Sequence, residues 1–252
     1  MPSFAKLLLP VSCLLTAVLA IPDVTSVPLT NGCTDYPGYD AATGVSEGFI
    51  LTLNSCDNST IEGFGDTCQV IRHQGDTGIV EGRVRSPLST QQLILKYLSL
   101  FHPHIPNLFL SKQISIAADD MLAKTSFRCN SALGNGVLEA LTPTGVSGYA
   151  YNQVNLTYLP WDAELGWGFG QYSVPVEAYS LFDATSGTQL DGVFLGSANY
   201  TTWGVKWYPA DAGSLDGNPY WGLRLLGADS DVSGTDEPLY PDEYRTFVMV
   251  TA

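Results

Sequence analysis

The sequence predicts an all-β protein: an antiparallel β-sandwich or jelly roll built from one domain, with few short helices. Three observations carry this expectation. The 25 glycines and 15 prolines of the 252-residue chain fall between short runs rich in Val, Tyr, Phe, Trp and Thr, as strands joined by turns do. Several of those runs place apolar residues at alternate positions, the period of a strand with one buried face. Finally, 45% of residues are apolar and 14% charged, enough to fill a substantial core. No internal repeat is visible, which argues against a propeller.

Taken from the N-terminus, residues 1–20 read as a secretory signal peptide. Lys6 is followed by LLLPVSCLLTAVLA, and Val18 and Ala20 place small side chains ahead of Ile21. The apolar run is shorter than the roughly 20 residues of a membrane helix. The C-terminal run Tyr244 to Ala252 is strand-like rather than a lipid-anchor tail. The expected mature chain, 21–252, is therefore a secreted, extracellular domain with no membrane partner once the leader is gone.

Cysteine usage agrees with export. Cys13 leaves with the leader, and Cys33, Cys56, Cys68 and Cys129 remain. An even number in an oxidising compartment implies two disulfides, with three possible connectivities. The turn Gly63–Asp66 between strand-like flanks favours Cys56 with Cys68, which leaves Cys33 for Cys129. No C-x-x-C spacing or histidine cluster of the zinc type accompanies them. Asn58-Ser59-Thr60, Asn155-Leu156-Thr157 and Asn199-Tyr200-Thr201 are N-glycosylation acceptors in such a protein.

The net charge is −14, and the leader contributes Lys6 and no acid, so the mature chain is one unit more negative. Such a surface repels phosphate backbones and anionic lipids, which excludes nucleic acid as an expected partner. Against this background residues 83–118 hold no acidic residue. They carry Arg83, Arg85, Lys96, Lys112, His102 and His104. Two readings of the block 83–113 are open. One is an inserted helix capped at Ser89 or Thr90, with Leu93, Ile94, Tyr97, Leu98 and Phe101 on its apolar face and Pro103 and Pro106 as stops. The other is a retained intron: Val84-Arg85 can be encoded by a donor-like GTAAGA and Gln113 by an acceptor-like CAG. Its removal would join GIVEGR to ISIAADD, two strand-like runs.

The remaining strands are read in order from their alternation. Tyr149 and Tyr151, then Val154, Leu156 and Tyr158, form one run; Trp203, Val205 and Trp207 form another; Trp221, Leu223 and Leu225 a third. Indoles two apart on a strand lie about 7 Å from each other. Exposed, Trp203 and Trp207 make a platform for sugar rings; buried, they are core. All five tryptophans, Trp161, Trp167, Trp203, Trp207 and Trp221, cluster in this part of the chain and are the candidate binding residues.

Catalytic motifs are sparse. His73 has Asp76 nearby but no G-x-S-x-G elbow, and Asp76-Thr77-Gly78 lacks the second copy that a paired-aspartate site requires. Glycoside hydrolysis needs two facing carboxylates. Glu139 in VLEAL and Glu177 in VPVEAY lie among apolar neighbours that raise a carboxyl pKa, and Glu164 sits between Trp161 and Trp167. Asp229, Asp231 and Ser233 place oxygens at alternate positions with Gly234 sixth, as a calcium loop does, although Tyr240 stands where the bidentate Glu belongs. Calcium is thus the one cofactor suggested. The function expected is that of a secreted glycoprotein binding carbohydrate or a cell-surface component through aromatic residues. A carbohydrate-active hydrolase or lyase with a Glu pair is the alternative, and a structural or host-interaction protein without a small ligand the third.

Overall fold

The computed structural model describes residues 21–72, 110–118, 122–143, 148–157, 163–167, 173–212, 217–227, 230 and 239–252. Period-2 patterning is realised as fourteen antiparallel strands. These are β1 (Val24–Pro28), β2 (Ile50–Asn54), β3 (Asp66–Arg72), β4 (Leu110–Ala117), β5 (Phe127–Asn130), β6 (Val137–Pro143) and β7 (Tyr149–Thr157). They continue with β8 (Leu165–Trp167), β9 (Ser173–Pro175), β10 (Glu177–Asp183), β11 (Val193–Gly196), β12 (Thr202–Tyr208), β13 (Tyr220–Leu225) and β14 (Glu243–Thr251). Among the described residues the sole helical element is the 3-10 turn Ser131–Leu133, capped by the Asn130 side chain, which accepts from the Ala132 N–H. No helix among them is long and apolar enough to cross a membrane.

The strand order is β1-β10-β11-β14-β12-β13-β4-β8-β7-β6-β5. The ends of this path do not stay apart. β14 carries β2 on one edge, from Phe247 opposite Asn54 to Thr251 opposite Ile50, and β12 and β11 on the other. Just before β2, Phe49 pairs with Phe127 on β5, and within β2 Thr52 pairs with Gly65 at the start of β3. The sheet therefore curls back on itself around one interior.

That interior is filled by the inward faces of the central strands. Leu51, Leu53, Ile114, Ile116, Trp203, Val205, Leu223, Leu225, Val248 and Val250 all belong to one buried cluster. Each such side chain contributes on the order of 1.5–3 kcal/mol when fully removed from water. Tyr179, Leu181, Phe194 and Phe247 form a second cluster. Phe247 and Val248 point to opposite faces, so β14 is buried on both, which accounts for its unbroken apolar run FVMV. Strand β7 enters the core only in its second half. Val154 and Leu156 are buried while Tyr149 is 70% exposed. Its first half pairs with β6 and its second lies between β8 and β9.

Cys33 and Cys129 are joined in a disulfide with a sequence separation of 96 residues. It ties the loop after β1 to β5. Closing a loop of that length stabilises the fold by about 4–5 kcal/mol in the chain-entropy view. The second expected bridge, Cys56 to Cys68, is not made: Cys56 is a buried free thiol. Strand register explains why. From the Thr52–Gly65 pair the chain runs four residues one way to Cys56 and three residues the opposite way to Cys68. At strand rise that separation is on the order of 20 Å, whereas a disulfide needs Cα atoms within about 7 Å. The glycine turn closes the hairpin as the sequence implied, but its register sets the two cysteine positions apart.

Most of the anomalous block 83–113 lies outside the described residues, but its last four residues open β4. There Leu110 to Gln113 face Arg72 to Gln69 across an antiparallel ladder, and Lys112 and Gln113 also pair with β8. Excising 84–113 would join Arg83 to Ile114 and put Val80, Glu81, Gly82 and Arg83 at the register positions of Leu110, Ser111, Lys112 and Gln113. β3 and β4 would then be a hairpin connected through residues 73–79. A chain lacking 84–113 is accordingly expected to be secreted and to melt cooperatively at no lower temperature than the full chain. Loss of secretion or of the cooperative melt on deletion would establish the block as an integral part of the domain.

Candidate functional site

The end of the β12–β13 hairpin concentrates aromatic side chains on both faces. On the inward face, Trp207 lies opposite Trp221, and on the outward face Tyr208 lies opposite Tyr220. The two indoles meet edge to face with centroids 5.1 Å apart, and Tyr244 stands 6.4 Å from Trp221. The phenol rings of Tyr208 and Tyr220 stack at 5.2 Å and 14°. Gly222 makes that stack possible, since a Cβ there would come within 2.8 Å of the Tyr208 ring. Burial, then the neighbouring Tyr208 and Glu164, push the Tyr220 phenol well above its ordinary pKa.

The expected Trp203/Trp207 platform is divided between the two roles considered for it. Trp203 is fully buried and donates its indole N–H to the Leu195 carbonyl at 2.9 Å, whereas Trp207 is 39% exposed. They share a strand face, but β12 leaves the core between Val205 and Trp207, so the face passes from interior to solvent. The partner of Trp207 is Trp221, across the hairpin rather than along the strand. Trp167 is also core, and Trp161 lies outside the described residues.

The three candidate glutamates are held on separate elements. Glu139 on β6 is buried, accepts from Arg128 Nε at 2.7 Å and from Asn130 Nδ2 at 3.2 Å. Arg128 in turn lies 3.9 Å over the Tyr151 ring. Glu177 on β10 is exposed and accepts from the Tyr179 hydroxyl and, at 2.8 Å, from the Ala198 N–H. Glu164 has its backbone tied to Thr157 on β7. Among the described residues no group of three or more His, Cys, Asp or Glu is placed to hold a metal. Asp229, Asp231 and Ser233 lie outside the described residues.

The three sequon asparagines sit in different settings. Asn58 accepts from the N–H and hydroxyl of Thr60. Asn155 lies in the middle of β7, paired on both edges. Asn199 is exposed at the tip of a two-residue turn in which Ala198 and Asn199 both have positive φ, 52° and 68°. It lines an open groove of about 360 Å³ shared with Ile21, Asp23, Ser26, Tyr200 and Arg245. Of the three, Asn199 offers a glycan the clearest exit.

Two charged arrangements were not foreseen from the sequence. Arg224 is buried and binds Glu243 through Nε at 2.7 Å and Nη2 at 2.6 Å, and its Nη1 donates to the Ser230 carbonyl. Asp66 is wholly buried, accepts from the Leu51 N–H at 2.8 Å through one oxygen and leaves the other without a partner. Burial pushes its pKa up to about 8, against the lowering effect of that N–H, of Thr125 and of Lys124. No protein-family model matches the chain, and no curated protein matches it either.

Proposed function

We propose that the protein is an extracellular, N-glycosylated β-domain that binds carbohydrate through the aromatic end of the β12–β13 hairpin. The observation that carries this reading is Trp207: a 39% exposed indole braced by Trp221, which Tyr244 backs in turn. An apolar ring face held rigid at the surface matches the C–H face of a pyranose and loses little entropy on binding. Export rests on the leader pattern together with the Cys33–Cys129 disulfide, since such bonds persist in oxidising compartments. Tryptophan fluorescence of the secreted protein, titrated with soluble glucan, xylan and chitin oligosaccharides, tests the binding.

Trp207→Ala is expected to abolish the response while shifting the melting temperature by no more than about 3 °C, because the side chain is at the rim of the core. Tyr149→Ala, at an exposed aromatic on β7, should leave binding intact. Trp203→Ala should instead cost roughly 3 to 5 kcal/mol of stability, the usual loss for a buried tryptophan. Unaltered sugar titrations in the Trp207 variant would rule out the hairpin end as the site.

A further inference from the structure

We propose that the α-amine created when the leader is cleaved after Ala20 docks on Asp57 and locks the first strand to the last. The inference rests on the secretion reading above. Its basis is the position of the Ile21 nitrogen, 3.0 Å from Asp57 Oδ1. In the precursor that nitrogen is an amide with one hydrogen to give. After cleavage the same atom carries an ammonium, and an amide-to-carboxylate hydrogen bond becomes an ion pair in which both partners are charged.

The acceptor is prepared for that role. Asp57 is fixed by its own backbone, whose N–H donates to the Arg245 carbonyl at 2.9 Å. Its second carboxylate oxygen takes the Arg245 N–H at 3.3 Å. It is thus attached to β14, next to the pairing of that strand with β2. On the other side, the Ile21 side chain packs with Val24 against the cluster of Tyr179, Leu181, Phe194 and Phe247. β1 then runs along β10 from Val24 onward. One ionic contact therefore clamps the start of the mature chain across β10, β11 and β14.

The charged groups around the amine set its behaviour with pH. Asp57 faces it directly. Asp23 follows two residues later, and Arg245 lines the same groove. Glu62 accepts from the N–H groups of Ser55 and Cys56 on the segment leading to Asp57. The directly bonded Asp57 carboxylate favours the ammonium, and on this proposal the amine holds its proton more firmly in the fold than in the unfolded chain, where it titrates at about 8. A group raised in the folded state contributes stability that is full below its unfolded pKa and is lost as pH rises through the folded one. The contribution is complete at pH 6 and gone well into the alkaline range.

The test uses protein secreted from the full coding chain. N-terminal sequencing comes first: a start other than Ile21 refutes the cleavage reading itself. With Ile21 at the terminus, the melting temperature of wild type and Asp57→Asn is followed from pH 5 to pH 10. Wild type is expected to melt roughly 3 to 12 °C above the variant at pH 6, the range for a charge-assisted bond in a chain of this size, and the two curves should converge at alkaline pH. Selective transamination of the terminal amine to a carbonyl should lower wild type to the level of the variant and leave the variant unchanged. Parallel curves with a constant offset, or no effect of transamination, would overturn the latch while leaving secretion established.

Discussion

Replacing Arg224 by methionine is expected to lower the unfolding free energy by about 3 to 5 kcal/mol, the cost of leaving one member of a buried ion pair without its partner. Arg224 and Glu243 are bonded twice, on β13 and β14, and flank β12 between them. Gly204 of β12 gives the carboxylate its room, since a Cβ there would lie 2.7 Å from Glu243 Cδ. Glu243 Oε2 also accepts the Tyr240 N–H, and Arg224 lies 4.5 Å over the Tyr240 ring while holding the Ser230 carbonyl. The pair thus anchors both ends of the acidic stretch between Ser230 and Tyr240. In a chain of this length the loss corresponds to a fall in melting temperature of roughly 6 to 20 °C. The double variant Arg224→Met with Glu243→Gln should recover a large part of it, because no uncompensated charge remains buried. Urea melts of the four proteins of this cycle measure the coupling. Additive losses would show that the two side chains act independently.

Asp66→Asn is expected to change the pH dependence of stability more than any other single substitution. The Asp66 carboxyl is pushed up to about 8 by burial, against about 4 in an unfolded chain. Between these values the folded protein holds a proton that the unfolded one has released. Stability from this group is therefore full below about pH 4 and is lost as pH rises through 8. Over the whole window the loss is at most on the order of 5 kcal/mol. Asparagine retains an acceptor for the Leu51 N–H and carries no charge to bury at any pH. The variant should show a flatter profile and exceed wild type above pH 8. Urea midpoints from pH 4 to pH 9 check this, and profiles that stay parallel would mean that Asp66 is ionised in the fold.

Much of this architecture was legible because burial on one face writes itself into alternate residues. Trp221, Leu223 and Leu225 lie on one face of β13 as their spacing implied, and the pairing of Cys33 with Cys129 was read correctly. What escaped depends on where strands enter and leave the core. Alternation put Trp203 and Trp207 on one face but holds no information on the depth at which that face meets solvent. The Gly63–Asp66 turn was visible, yet the register it sets, which keeps Cys56 from Cys68, was not. Arg224 stands on the face opposite Leu223 and Leu225, where a charged residue is ordinarily solvated. It is buried because Ser230, six residues on, and Tyr240, further along the chain, fold over it. The candidate glutamates illustrate the same gap: apolar neighbours in sequence bury Glu139, but Arg128 and Asn130 then occupy it.

The curled sheet also determines how the protein meets its own copies. An unpaired strand edge is a template on which another molecule's strand can add. Here β5, at one end of the strand order, has that edge covered by Val45 and Phe49, which pair with Asn130 and Phe127. The opposite end is β1, five residues long, preceded by Asp23 and closed by Pro28. A short strand bounded by a charge and a residue without an N–H offers little to a neighbouring chain. Among the described strands the two ends of the path are thus guarded against intermolecular pairing, so copies of the chain have no open strand at either end of the path on which to add.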